Sequence, residues 1–104
     1  MALIDDFKIA YRISINSQAI NSQINDLIDE AEDDLVATAN IVIPENPAGK
    51  IKGAILLYAG YRWYQTSDLE RSKALRASYD LAKKELLMSS KYSDYAEVDD
   101  GQSD

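Results

Sequence analysis

The chain has no cysteine and no histidine, and among its 104 residues there are two prolines and one phenylalanine. Without cysteine there is no disulfide scaffold, no thiol nucleophile and no zinc site of the Cys/His type. Without histidine the commonest general base near neutral pH is gone, and so is the usual activator of a serine. Glycine is scarce too, and no Gly-Lys-Ser/Thr phosphate loop can be assembled from Gly49 and Gly53, which read as a helix start and a small packing residue. Apolar runs are short everywhere, far below the roughly 18 residues a membrane span needs. Two early acids, Asp5 and Asp6, stand where a signal peptide carries positive charge, so a soluble, unexported protein is expected.

What is present is acid and helical period. The net charge of -7 comes from 18 acids against 11 bases, which repels nucleic acid and anionic membranes at long range. Apolar content of 46% suffices for a single modest core. The spacing predicts an all-α fold, a small bundle of about four helices, in a domain over residues 1–91, and the shift in composition to five acids and no base predicts a disordered, flexible acidic tail over 92–104. The first helix, residues 3–11, places Leu3, Phe7 and Ala10 on one face, flanked by Ile4 and Tyr11. Asn16 or Ser17 is suited to cap the second, residues 18–39, whose Ile20, Ile24, Leu27, Ile28, Ala31 and Leu35 form one stripe.

The Ile41-Val42-Ile43 run is cut short by Pro44, after which Asn46 is expected to cap a third helix beginning at Pro47 and running to about residue 65. That helix is apolar nearly all round, with Ile51, Ile55 and Tyr58, then Leu56 and Trp63, then Leu57, Tyr61 and Tyr64 on successive sides. Such a helix must be covered on several faces. Thr66-Ser67-Asp68 ends it and opens the fourth, residues 69–90, with Leu75, Tyr79, Ala82 and Leu86 inward. The second and third helices are expected as the central pair, with the fourth across them.

Two constellations are candidates for function. On the second helix Asp26, Asp29 and Asp33 lie opposite the apolar stripe, with Glu30 at the edge of the same face. A di-metal site needs inward carboxylates and a Glu-x-x-His pair, and a calcium loop needs alternating acids around a glycine, so neither a metal nor a catalytic role is indicated. A solvated helix face is one reading; a surface for a basic partner, or a wall along which DNA slides, is another. The like-charge pairs Asp26/Glu30, Asp29/Asp33 and Glu30/Asp34 each cost a few tenths of a kcal/mol, about 0.2 to 0.5 in isolated helices, which favours some use for the potential they create.

The second constellation is Tyr58, Tyr61, Trp63 and Tyr64 around Arg62. Stacking on single-stranded nucleic acid would need a basic groove. Core packing and a protein interface both remain open for these aromatics, and Tyr61, Trp63 and Tyr64 are the candidates for an oligomer interface. Arg62 shares a face with Ile51, Ile55 and Tyr58 and needs an acidic partner if that face is buried. Past the fourth helix, Tyr92, Tyr95 and Val98 recur every three residues, a spacing that would line them up on a partner surface.

The segments Tyr11-Arg12-Ile13, residues 24–31 (INDLIDEA) and residues 51–59 (IKGAILLYA) closing on Trp63-Tyr64 together resemble the head-tail connector, or head-completion adaptor, proteins of long-tailed double-stranded DNA bacteriophages. The likeness spans residues 3–88. It implies a structural protein of the virion, assembled in the bacterial host cytoplasm, with no catalysis and no cofactor. Many copies would form a homo-oligomeric ring between the portal protein and the next connector or stopper protein, continuing a DNA channel without binding DNA specifically. The resemblance further implies Asp26, Asp29, Glu30 and Asp33 as the channel face, and Tyr92, Tyr95 and Val98 as a portal-docking segment. A small cytoplasmic helical adaptor or regulator, antitoxin-like or mimicking DNA through its acidic tail, is the alternative.

Overall fold

A computed structural model describes residues 3–15 and 17–88 of the chain. Four helices follow one another: α1 (Leu3–Tyr11), α2 (Gln18–Ala39), α3 (Gly49–Trp63) and α4 (Leu69–Met88). There is no strand among the described residues, and the all-α bundle expected from the periodicity is what the chain forms.

α2 begins where a serine can stop the backbone donors from being orphaned. Ser17 is extended (φ -127°, ψ 152°), and its hydroxyl oxygen accepts from the Ile20 amide at 3.1 Å. At the far end Asn40 takes a left-handed conformation (φ 55°, ψ 46°), one of the few non-glycine residues that does so at low cost. The stripe then buries Ile24, Ile28, Ala31 and Leu35. Leu27, expected within it, sits on the flank and is half-buried, because the stripe turns its centre toward Ile28 and Ala31.

α3 starts two residues later than the proline pattern implies. Gly49 has φ +61°, and this left-handed residue redirects the chain after Pro47, so a right-handed helix cannot run continuously from the proline. Ala48 stands at the cap position in place of Asn46, with no side-chain cap bond. At its other end α3 tightens rather than continues to residue 65: the Tyr64 amide donates to the Gly60 carbonyl at 3.0 Å and the Gln65 amide to the Arg62 carbonyl at 3.3 Å. The turn into α4 is closed by Asp68, whose Oδ1 accepts from the Arg71 amide at 3.2 Å, and by the buried Ser72, whose hydroxyl donates to the Tyr61 carbonyl at 2.8 Å.

α3 alone is central, packing most extensively on α4 and α2, whereas α2 and α4 meet over a small area. Its apolarity on all sides is thereby used: Ile51, Ala54, Ile55, Tyr58, Ala59 and Gly60 are buried. α4 buries Tyr79 and Leu86, with Leu75 and Ala82 half-covered. α1 docks through Phe7 and Tyr11, with Leu3 and Ile4 packed beside them, while Ala10 faces outward and not onto the core as expected. Gly53 also departs from expectation. A Cβ there would meet nothing within 4 Å, so it is not a packing glycine. Gly60 is one, because a Cβ on it would overlap the ring of Tyr11.

Candidate functional site

The densest gathering of polar chemistry lies where α2, α3 and α4 converge. It is built from three pairs of side chains, each pair one helical turn apart and so on one row of its helix. α2 supplies Glu30 and Asp34, α3 supplies Tyr58 and Arg62, and α4 supplies Tyr79 and Lys83. Glu30 takes both members of the α3 pair: the Tyr58 hydroxyl donates to its Oε2 at 2.6 Å, and the Arg62 guanidinium donates to the same oxygen. Asp34 takes both members of the α4 pair, accepting from the Tyr79 hydroxyl and pairing with Lys83 at 3.6 Å. Arg62 also donates from Nε to Gln65 Oε1 at 3.1 Å. The acidic partner that Arg62 requires is therefore Glu30, within the same chain.

Aromatic contacts fill the space between these rows. Tyr58 meets Tyr79 edge to face at 5.1 Å and Tyr61 at 5.5 Å. The Arg76 guanidinium lies 5.1 Å from the Tyr61 ring centre, and the Lys83 ammonium lies 5.1 Å from that of Tyr79. Burial pushes the Tyr79 phenol far above its usual range, and the bond to Asp34 reinforces the effect because a phenolate could not donate to a carboxylate. Tyr58 is raised for the same first reason, with the Asp34 charge adding to it. These phenols stay protonated near neutrality, where they can hold carboxylates in place but cannot serve as bases.

A second aromatic group ties α1 down. The Tyr11 hydroxyl donates to the Leu56 carbonyl at 2.9 Å, and burial raises its phenol as well. Phe7 packs edge to face on Trp63 at 5.6 Å, Tyr64 on Tyr11 at 5.8 Å, and Arg71 sits over Tyr64 at 4.4 Å. Tyr61, Trp63 and Tyr64, the three residues considered for an oligomer interface, are each half-buried within the single chain and face three different neighbours.

The acidic face divides. Asp26, Asp29 and Asp33 are exposed and make no ion pair or hydrogen bond among the described residues, whereas Glu30 is half-covered and bonded inward as above. Glu30 therefore belongs to the packing between α2 and α3 rather than to the solvated face. Glu32, beside them, is raised by partial burial and then by the charges of Asp29 and Asp33. Among the described residues no group of three or more acids could hold a metal ion, and no helix is long and apolar enough to cross a membrane. Tyr92, Tyr95 and Val98 lie outside the described residues.

Part of this arrangement was readable in advance. The sequence places Arg62 and Tyr58 on one row and requires an acid opposite them. It does not reveal which acid, because six lie between Asp26 and Asp34 and a rotation of α2 by one residue exchanges them. The roles of Asp34, Tyr79 and Lys83 went unnoticed; their signal is the same one-turn spacing repeated on α2 and α4. No protein family, curated protein or solved structure matches this chain.

Proposed function

We propose that this protein is a structural component of a tailed-phage virion, a head-tail connector whose copies form a ring between the portal protein and the next connector or stopper. The reading rests on the resemblance of residues 3–88 to that family, and the observation that carries it is the run of helices: a short α1, a long α2, an apolar central α3 and a long α4. The bundle suits such a role because its polar interior is made of donors and acceptors that hold helices together, with phenols kept protonated by burial. The protein encloses DNA without reading its sequence, takes no cofactor and carries out no reaction. Its place is the head-tail interface of the particle, reached after assembly in the host cytoplasm. The family likeness implies the exposed carboxylates of Asp26, Asp29 and Asp33 as part of the channel wall.

The test is co-expression with the portal protein of the same genome, followed by electron microscopy of the purified complex. A ring of this chain seated beneath the portal is expected. Failure of the two proteins to co-purify overturns the reading and favours a small helical adaptor or regulator instead.

A further inference from the structure

The start of α2 carries a duplicated tetrapeptide. Ile15-Asn16-Ser17-Gln18 returns, after Ala19, as Ile20-Asn21-Ser22-Gln23. The first copy begins the helix, because Ser17 is extended and its hydroxyl oxygen accepts from the Ile20 amide three residues on. The second copy lies inside the helix. There Ser22 is exposed, and its hydroxyl makes no hydrogen bond among the described residues. A helix beginning at Gln23 would give Ser22 the same task, with the Asn25 amide in the place of that of Ile20. It would also bring Asp26 into the first turn, where an acid is favoured by the helix dipole, whereas α2 as it stands has no acid there.

Little is anchored between the two serines. Gln18, Ala19 and Ser22 are exposed, Ile20 and Asn21 are half-buried, and the first fully enclosed residue of α2 is Ile24, which lies within either helix. Unwinding residues 18–22 lengthens the connector by about 9 Å, at roughly 3.3 Å per extended residue against 1.5 Å in a helix. The element this slack serves is α1, which is seated on α3 by a fitted contact. The Tyr11 ring fills the space a Cβ on Gly60 would need, and its hydroxyl donates to the Leu56 carbonyl at 2.9 Å. Phe7 lies edge to face on Trp63 at 5.6 Å, and Asp6 pairs with Lys52 at 3.3 Å. Leaving α1, the chain turns through Arg12 at φ 56°, a conformation that glycine takes without strain and arginine does not.

We propose that α1 is a latch on α3 and that the first turn of α2 is its slack, wound from Ser17 when α1 is seated and from Ser22 when α1 is released. The second cap makes the change discrete, since unwinding that passes Ser17 stops at the next serine able to hold the freed backbone donors. Release also uncovers the side of the Trp63 ring that Phe7 covers. The device works within one free chain, so it stands apart from the ring and the portal of the reading above.

Amide hydrogen exchange followed by NMR on the full chain tests this, with Trp63, the single tryptophan, reporting on α1. Ser17→Ala removes the outer cap. It is expected to speed exchange of the amides of residues 21–24 by about tenfold or more, with a sharp boundary at Asn25 and Asp26. It also moves Trp63 emission to longer wavelength as Phe7 leaves the ring. Adding Ser22→Ala is expected to push the boundary further into α2, while Ser22→Asp in its place restores the boundary, since aspartate caps as serine does. Protected amides between Ile51 and Gly60 show in each variant that the bundle is folded. A helix with only one start behaves otherwise, because alanine favours an exposed helix interior over serine, so adding Ser22→Ala then slows exchange or leaves it unchanged. That result overturns the proposal. So does exchange in Ser17→Ala that runs past Asp26 without a boundary, or Trp63 emission in that variant that matches wild type.

Discussion

Glu30 and Asp34, one turn apart on α2, divide the bundle between them: Glu30 accepts from Tyr58 and Arg62 on α3, and Asp34 from Tyr79 on α4 while pairing with Lys83. Neighbouring carboxylates on one helix normally repel. Here each faces its own hydroxyl donor and its own cation, which offsets that repulsion.

Glu30 and Asp29 are adjacent acids with opposite prospects. Glu30→Ala leaves the Tyr58 hydroxyl and the Arg62 guanidinium without their acceptor, and is expected to cost about 1 to 3 kcal/mol, toward the lower end because the pair is partly solvated. Asp29→Ala should stay within about 0.5 kcal/mol of wild type. Urea denaturation of the two variants compares them directly, and equal losses would show that Glu30 is no more structural than its neighbour.

Gly60 is required by the approach of Tyr11. Elsewhere in a helix Gly→Ala gains about 0.5 to 1 kcal/mol. At this position the new methyl overlaps a ring held by its bond to Leu56, so Gly60→Ala is expected to destabilise by about 1 to 3 kcal/mol through overpacking. Combining it with Tyr11→Ala should cost less than the two single losses added together. Strict additivity in thermal melts would mean the two residues do not oppose each other.

The raised phenols dictate an alkaline limit. Tyr79, Tyr58 and Tyr11 are all displaced upward from 10.0 by burial, whereas in the unfolded chain they ionise near that value. Below about pH 10 both states are protonated and no stability is lost; above it the unfolded chain releases protons the folded chain retains, so stability falls as pH rises. Absorbance at 295 nm should show these phenols ionising together with loss of helix. Smooth ionisation of all seven tyrosines near pH 10 with the helical signal intact would contradict it.

Core truncations rank by burial. Ile55 is fully enclosed, and Ile55→Ala should cost about 2 to 5 kcal/mol. Leu27, on the flank of its stripe, should cost distinctly less, because a partly open site loses less area and can relax or admit water. A reversed order in chemical denaturation would place the centre of the α2 stripe elsewhere.

If the chain docks on a portal protein as proposed, deletion of residues 92–104 is expected to leave the helicity of the free protein nearly unchanged while weakening that docking, most at low salt, where the five acids of that segment act at longest range. Pull-down with the portal protein across a salt series checks this, and undiminished binding removes the segment from docking.

The α2 boundaries were legible because every local signal agrees: a serine cap, a continuous stripe and a residue able to turn left-handed at the end. α3 was misjudged at its start because Asn46-Pro47 is a sound local signal that the left-handed Gly49 overrides. The packing role expected of Gly53 falls instead to Gly60 for a related reason. What a glycine accommodates is set by a residue far off in sequence, here Tyr11 against Gly60, and periodicity carries no information across that separation. Arg62 shows how far such reasoning extends, since the need for an acid could be stated from burial while its identity awaited the rotation of α2.

Because α2 and α4 both rest on α3 and only lightly on each other, while α1 makes small contacts shared equally between α2 and α3, opening is graded from the periphery inward. α1 is nine residues long, too short to persist by itself, and hangs on Phe7 and Tyr11. Its amides can exchange with deuterium through a local excursion that leaves the other three helices in register. Those of α3 have no such route, since exposing them requires both of its larger interfaces to separate, so the slowest-exchanging amides of the chain report the free energy of global unfolding and cluster between Ile51 and Gly60.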